Sequence, residues 1–289
     1  MRLGIFVKVF LRPTVEAVLD AVAPHGVQCL QFNFSCVGLP NMPEHIEPAL
    51  LDRIRQAFDE RGLKMAAVSG TFNMIHPDPG ERRQGLLRLR ELASACPRLG
   101  TSVVTLCTGT RDPENIWRGH PGNNSPAAWN DLCHSLAEAL GFAEEFGVTL
   151  GVEPEVSNVV DSARKARRLL DEMRSSRLKI IMDGANLFHT GELPRMREIL
   201  NEAFDLLGRD IVIAHAKDLS HDGEAGNLAA GAGVLDYDHY LALLQSTGFG
   251  GPLILHGLSE SQVPGCLAFL REKMKALVGV HSRGQGDEP

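Results

Sequence analysis

A chain of 289 residues, 44% hydrophobic and 22% charged, has the make-up of a globular protein and is long enough to bury a large core. Its formal charge of -7 argues against an extended nucleic-acid surface, which relies on clustered Lys and Arg. No run approaches the ~18 consecutive apolar residues of a membrane span. Neither a nucleic-acid nor a membrane partner is therefore expected.

The six cysteines (29, 36, 96, 107, 133 and 266) are scattered with no CxxC pair and read as free thiols in a reducing compartment. The opening MRLGIFVKVFLRP has too short and too interrupted an apolar run for a signal peptide. A cytoplasmic location is expected, and a homo-oligomer is compatible with the sequence.

Short apolar runs alternate with segments of helical period along the chain. Strand Leu3 to Val9 leads to helix Thr14 to Ala23, strand Gly26 to Phe34 to helix Ile46 to Arg61, and strand Lys64 to Gly70 to helix Glu81 to Cys96. Arg82, Arg83, Arg88 and Arg90 fall on this third helix as a solvated basic face. Strand Ser102 to Thr108 and helix Pro126 to Phe146 enclose a stretch, Cys107 to Pro126, rich in Gly, Pro, Asn and Asp, a candidate active-site loop. Strand Val148 to Glu153 precedes helix Ser162 to Ser175, with Asp161 and Ser162 as capping residues. Strand Leu178 to Asp183 then precedes helix Leu193 to Leu207, strand Asp210 to His215 precedes helix Tyr237 to Ser246, and strand Pro252 to His256 precedes helix Val263 to Val278. Eight strands, each followed by a helix, predict an α/β fold, a single (β/α)8 TIM barrel over residues 1–280 with a polar tail at 281–289.

In such a barrel the active site forms at the C-terminal ends of the strands. Four apolar runs end in ionisable residues: TLGVEPE at Glu153, KIIMDGAN at Asp183, IVIAHAKD at His215 and PLILHG at His256, at intervals of 30, 32 and 41 residues. Closure brings all four to one rim. Two carboxylates at the end of apolar strands are costly to desolvate unless paired or bound to a cation. A divalent metal bound by Glu153, Asp183, His215 and His256 removes the conflict, as a mixed O/N site without thiolates that suits Mn²⁺ first, or Zn²⁺, Co²⁺ or Mg²⁺. Taken singly, Glu153 or Asp183 could as well cap a helix, and a lone histidine could be a hydrogen-bonded core residue; the recurrence on four strands favours the metal.

At these residues the chain resembles the xylose isomerase-like TIM-barrel superfamily of sugar phosphate isomerases and epimerases. GVEPE, DGANL, HAKD (His215, Lys217, Asp218) and GAGVLD (Gly231 to Asp236) carry the resemblance, which covers most of the chain. It implies that Glu153, Asp183 and His215 are metal ligands. In the epimerase members a second Glu on the last strand completes the metal site and shares the acid/base work; here His256 stands at that place, with Glu260 four residues on.

The reaction expected is a divalent-metal-dependent isomerisation or epimerisation of a small sugar or hydroxy-carbonyl compound through an enediolate, with Glu153 as base and His256 or Glu260 as its proton-exchanging partner. Alternatives are a dehydratase or an endonuclease IV-type hydrolase on the same barrel, or a sugar-binding barrel without turnover. Lys217 either stabilises oxyanion charge or pairs with Asp218. His76, with Asn73, either binds substrate hydroxyls or orders a polar turn. His189 is expected to face the substrate, Arg111 to contact an anion and Trp117 to serve as a lid, while Asn186 orders its loop. GAGVLD lacks the third glycine of a dinucleotide loop and is expected at the substrate mouth.

Overall fold

The structure, a computed structural model, describes residues 1–283. In chain order the elements are β1 (Arg2–Phe6), α1 (Val15–Val22), β2 (Cys29–Phe32), α2 (Pro48–Glu60), β3 (Lys64–Ser69), α3 (Pro79–Leu99), β4 (Val103–Leu106), α4 (Pro126–Phe146), β5 (Thr149–Val152), α5 (Ala163–Met173), β6 (Leu178–Asp183), α6 (Met196–Leu207), β7 (Ile211–Asp218), β8 (Leu228–Ala229), α7 (Tyr237–Ser246), β9 (Pro252–Leu255) and α8 (Val263–Arg283). All strands but β8 are parallel. Each pairs with its neighbour in sequence, and β9 pairs with both β7 and β1, so the sheet closes on itself. This is a (β/α)8 TIM barrel. The two-residue β8 is an added antiparallel partner of β7 outside the ring.

Sequence places the helix ends. Ser162 accepts a hydrogen bond from the Lys165 N–H and Asp161 pairs with the Lys165 ammonium, as expected at the start of α5. Asp78 caps α3 with Pro79 at its first position, and Gly100 in the left-handed region ends it. Strand 1 is shorter than its apolar run predicts: it stops at Phe6, and Val7–Val9 make a 3-10 turn. Helix α8 runs through Arg283, so the first residues of the expected tail are helical, and 284–289 lie outside the described residues. No described helix is long and apolar enough to cross a membrane.

Two apolar layers result. The larger packs the helices on the outside of the sheet; the smaller fills the barrel with Phe6, Cys29, Ala67, Ile181, Ile213 and Ile254. Because side chains alternate along a strand, the residue two positions beyond each of these also points into the barrel, one layer up. That layer is the floor of the site.

Candidate functional site at the C-terminal rim

The alternation that buries Ile181, Ile213 and Ile254 lifts Asp183, His215 and His256 onto the rim, and the parallel register of β6 and β7 sets Asp183 directly beside His215. Ligand atoms of Asp183, His215 and His256 lie within 4.8 Å of one another. Asp183 is fully buried. Its Oδ1 accepts the Ala185 N–H at 3.0 Å, while Oδ2 faces the Lys217 ammonium at 3.1 Å and His215 Nδ1 at 3.7 Å. Burial opposes its ionisation, but Lys217 and then His215 more than offset this and hold the carboxyl well below the usual range.

His215 is held from both sides: Nδ1 points to Glu153 Oε1 at 3.4 Å and Nε2 to Gln31 Oε1 at 3.0 Å. Burial would lower its pKa, yet the carboxylates of Glu153 and Asp183 prevail and raise it to about 9. The His256 ring stacks between His215 and Phe6, at centroid distances of 5.0 and 5.2 Å. Its Nδ1 is buried without a hydrogen bond. Burial first, then the cations Lys217, His215 and Lys8, push its pKa well below the ordinary value, so the ring is neutral with a lone pair available.

Glu153 follows β5, tied by its N–H to Leu106 O. Its Oε1 accepts a 2.7 Å hydrogen bond from Asn186 Nδ2, and among the described residues no hydrogen bond reaches Oε2. Asn186 Oδ1 in turn accepts the Gly226 N–H, so this residue both orders its loop and orients Glu153. Glu153 stands outside the compact trio of Asp183, His215 and His256 and touches it through His215. Lys217 pairs with Asp183 and not with Asp218, whose carboxylate instead accepts N–H groups of Leu219, Gly231 and Leu235. Gly257 makes room for Lys217: in its left-handed conformation, an added Cβ would lie 2.7 Å from the lysine stem.

Two cavities meet at this cluster. An inner one of about 270 Å³ descends among Gln31, Asn33, Asn41, Ser69, Thr71 and Thr105. An outer one of about 640 Å³ opens between the fourth loop and the loop after β7, along Arg118, Glu155, Ser157, Lys217 and Asn227. Lys8, Trp117, Glu153 and His256 border both. Trp117, half-exposed on the fourth loop, thus stands where a lid was expected.

Other expected contacts lie elsewhere. Glu260 borders neither cavity; it opens a 3-10 turn past β9 and forms a bidentate ion pair with Arg12, at 2.6 and 3.0 Å. Arg111 is spent on Asp131 Oδ2 at 2.6 Å and Ile75 O at 2.9 Å, and binds the third loop to α4. His76 Nε2 meets Pro113 O and its Nδ1 accepts the Asp78 N–H, which makes it a turn residue; Asn73 likewise bonds Thr110 on both its amide atoms. His189 sits 3.9 Å from Asp161 in a separate depression beside Glu192 and Arg164. The GAGVLD loop is anchored on Asp218 and leaves Val234 exposed over another surface hollow, away from the mouth.

The reading by strand ends missed Lys8, Gln31 and Glu155. Lys8 and Gln31 stand two residues after the inward-facing Phe6 and Cys29, so a period-2 extension of those strands would have found them, and Glu155 lies two residues past Glu153 in the loop after β5, on the wall of the outer cavity. Glu155 is buried, its Oε1 without a hydrogen-bond partner, and burial followed by the Glu153 charge pushes its pKa up to about 8. The Lys8 ammonium lies 4.6 Å over the Phe6 ring; desolvation and then Lys217 lower its pKa.

The donor set fits a divalent ion. Asp183 Oδ2 and His256 Nδ1 are buried without hydrogen bonds, one ligand atom each of Asp183, His215 and His256 lies within 4.8 Å of the others, and one carboxylate with two imidazoles is a mixed O/N set of the kind such ions take.

Fold and rim together define a class. The model of the xylose isomerase-like TIM barrel matches residues 19–273, and the chain belongs to that family. Among solved structures it is similar to a D-tagatose 3-epimerase-like protein (TM-score 0.77, 15% identity, 96% of this chain and 99% of that one) and to an L-ribulose 3-epimerase (TM-score 0.75, 16% identity, 100% and 99%). It is also similar to a xylose isomerase-like TIM barrel protein from Mycobacterium smegmatis in complex with magnesium (TM-score 0.71, 14% identity, 96% and 96%). At such identities the likeness speaks for the fold. No curated protein sequence matches the chain.

Proposed function

We propose that the protein is a divalent-metal-dependent isomerase or epimerase of a small sugar or hydroxy-carbonyl compound, working by proton transfer next to the carbonyl. The observation that carries this reading is the position of Glu153: a carboxylate at the junction of two cavities, one oxygen fixed by Asn186, beside a trio, Asp183 and His215 buried and His256 partly so, able to hold a metal. The names of the similar epimerases and the magnesium in one of the similar structures support it.

Asp183, His215 and His256 would hold the ion, with Glu153 alongside, and the ion would supply Lewis acidity to a substrate carbonyl and its neighbouring hydroxyl. Glu153 Oε2 is the oxygen left to take a proton from the adjacent carbon, because Oε1 is engaged. Lys217, buried beside Asp183, keeps a fixed positive charge at the rim where enediolate charge develops. Gln31 and Thr105, hydrogen-bonded to one another at 3.3 Å, offer further groups to substrate hydroxyls in the inner cavity.

His256 is a neutral imidazole of low basicity and thus a better ligand than proton donor. With Glu260 paired to Arg12, the end of the last strand supplies no second carboxylate to the site; Glu153 carries the proton, and returning it to the neighbouring carbon on the same face is isomerisation. Epimerisation requires a second donor on the opposite face. The isomerase branch is therefore favoured. Binding without turnover is the second reading, and the histidine at the end of the last strand favours it.

The test is proton exchange in D₂O across ketoses and aldoses, followed by NMR. Deuterium entering one carbon next to the carbonyl, and failing to enter in Glu153→Gln, supports the reading. A sugar that raises the melting temperature and takes up no deuterium supports the binding barrel instead. The six unpaired cysteines, five of them buried, agree with a reducing compartment and support a cytoplasmic location.

A further inference from the structure

We propose that the substrate carries an anionic group, a carboxylate or a phosphate, and that this group binds in the outer cavity between the ammoniums of Lys8 and Lys217. The inference deepens the reading above by naming the substrate class, and rests on it for the hydroxylated remainder of the molecule.

The two cavities differ in what they can recognise. The inner one offers mainly amides and hydroxyls, from Gln31, Asn33, Ser69 and Thr105, which match the hydroxyls of a polyol. Lys8 borders both cavities, and Lys217 and Arg118 line the outer one, where the ammoniums come together. Among them Arg118 is committed to Asp112 and Glu114, and Lys217 to Asp183. Lys8 alone is in no ion pair: among the described residues its ammonium donates no hydrogen bond and rests on the face of Phe6, within the influence of the Glu153 charge.

That placement is built rather than incidental. Phe6 stacks on His256, which stacks on His215, so the column fixes Lys8 over the same cluster that holds the proposed metal. Lys217 is 5% exposed, and two ammoniums lining one cavity repel each other until an anion lies between them. The Glu155 carboxyl, whose Oε1 is buried without a hydrogen-bond partner, lines the same cavity and offers a polar group to a hydroxyl of the same ligand. A sugar acid or sugar phosphate satisfies all three: its anion meets Lys8 and Lys217, one hydroxyl meets Glu155, and its polyol end enters the inner cavity.

The test compares D-gluconate with D-glucitol, which differ only in the carboxylate, by calorimetric titration of the purified protein, with inorganic phosphate as competitor. Wild type, Lys8→Met and Lys8→Arg are prepared with equal metal content and checked for equal melting behaviour. The expected result is that gluconate binds about tenfold more tightly than glucitol, as a charge-assisted contact gives, that Lys8→Met abolishes the preference, and that Lys8→Arg keeps it. Displacement of gluconate by phosphate would assign the site to phosphate as well; gluconate held against phosphate would restrict it to carboxylate. Equal affinity for the two compounds in the wild type, binding of neither anion, or a preference that survives Lys8→Met would overturn the proposal. Because the titration needs no turnover, a protein that selects gluconate through Lys8 yet exchanges no deuterium with any sugar would keep this inference and lose the isomerase reading.

Discussion

The two halves of the barrel rim are built from different chemistry. From β5 to β9 it carries Glu153, Glu155, Asp183, His215, Lys217 and His256, ionisable groups within ion-pair distance of one another or on the wall of one cavity. From β1 to β4, apart from Lys8, it presents neutral groups: Gln31, Asn33, Ser69, Thr71 and Thr105. The first half is suited to hold charge and move a proton, the second to sort hydroxyl patterns. His215 joins them, with one nitrogen toward Glu153 and Asp183 and the other on Gln31.

The division predicts that substitutions in the charged half act on the chemical step. Glu153→Gln, with the sugar that exchanges fastest, should lower the deuterium-exchange rate about 10³-fold with little change in binding. A loss of less than tenfold would move the base elsewhere. Asp183→Ala should be the most damaging change to the fold, since it leaves the Lys217 ammonium buried and unpaired. The expected cost is about 3–5 kcal/mol in urea unfolding, and a cost near zero would mean that Lys217 swings out to water.

In the neutral half, Gln31→Leu and Thr105→Val should raise KM roughly tenfold and leave kcat within about threefold, as for contacts equal in ground and transition states. A fall in kcat for Gln31→Leu alone would assign Gln31 to the orientation of His215.

The charged half also predicts how stability depends on pH in the metal-free protein. His215 and Glu155 both bind protons more tightly folded than unfolded, with pKa values of about 9 and about 8. The folded state thus carries the excess of protons above the unfolded values, near 6.5 for histidine and 4.5 for glutamate. The His215 contribution is complete below its unfolded pKa and lost as pH rises through about 9, and Glu155 becomes steadily more costly up to about 8. The melting temperature should fall by roughly 5 °C between pH 6 and pH 9, and Glu155→Gln should reduce the slope. A rise over that interval would contradict the charge assignment. The smallest effects belong to residues outside the cavities: Arg111→Met and His76→Ala should leave exchange rates within about twofold while costing about 1 kcal/mol of stability.

The same division governs what could be read from sequence. Ionisable residues at the ends of apolar runs stand out, which is why Glu153, Asp183, His215 and His256 were legible, as were the eight βα units that carry them. Gln31 lies inside the run CLQFNF, where a neutral amide on the inward face looks like an interruption of a core strand. Lys8 reads as a snorkelling lysine of a first strand until the 3-10 turn after Phe6 places it at the mouth. Arg111, His76, His189 and Glu260 were polar loop residues near strand ends, and sequence could not show that Asp131, Pro113, Asp161 and Arg12 would occupy them.

The central claim is that Asp183, His215 and His256 hold one divalent ion next to Glu153. Elemental analysis for Mn, Zn, Co, Mg and Fe, on protein purified without added metal and after incubation with each ion, tests it most directly in the wild type, Asp183→Ala and His256→Ala. The account predicts about one equivalent in the wild type and loss of it in both variants. No metal in the wild type under any of these conditions, or one equivalent retained in Asp183→Ala, would contradict it.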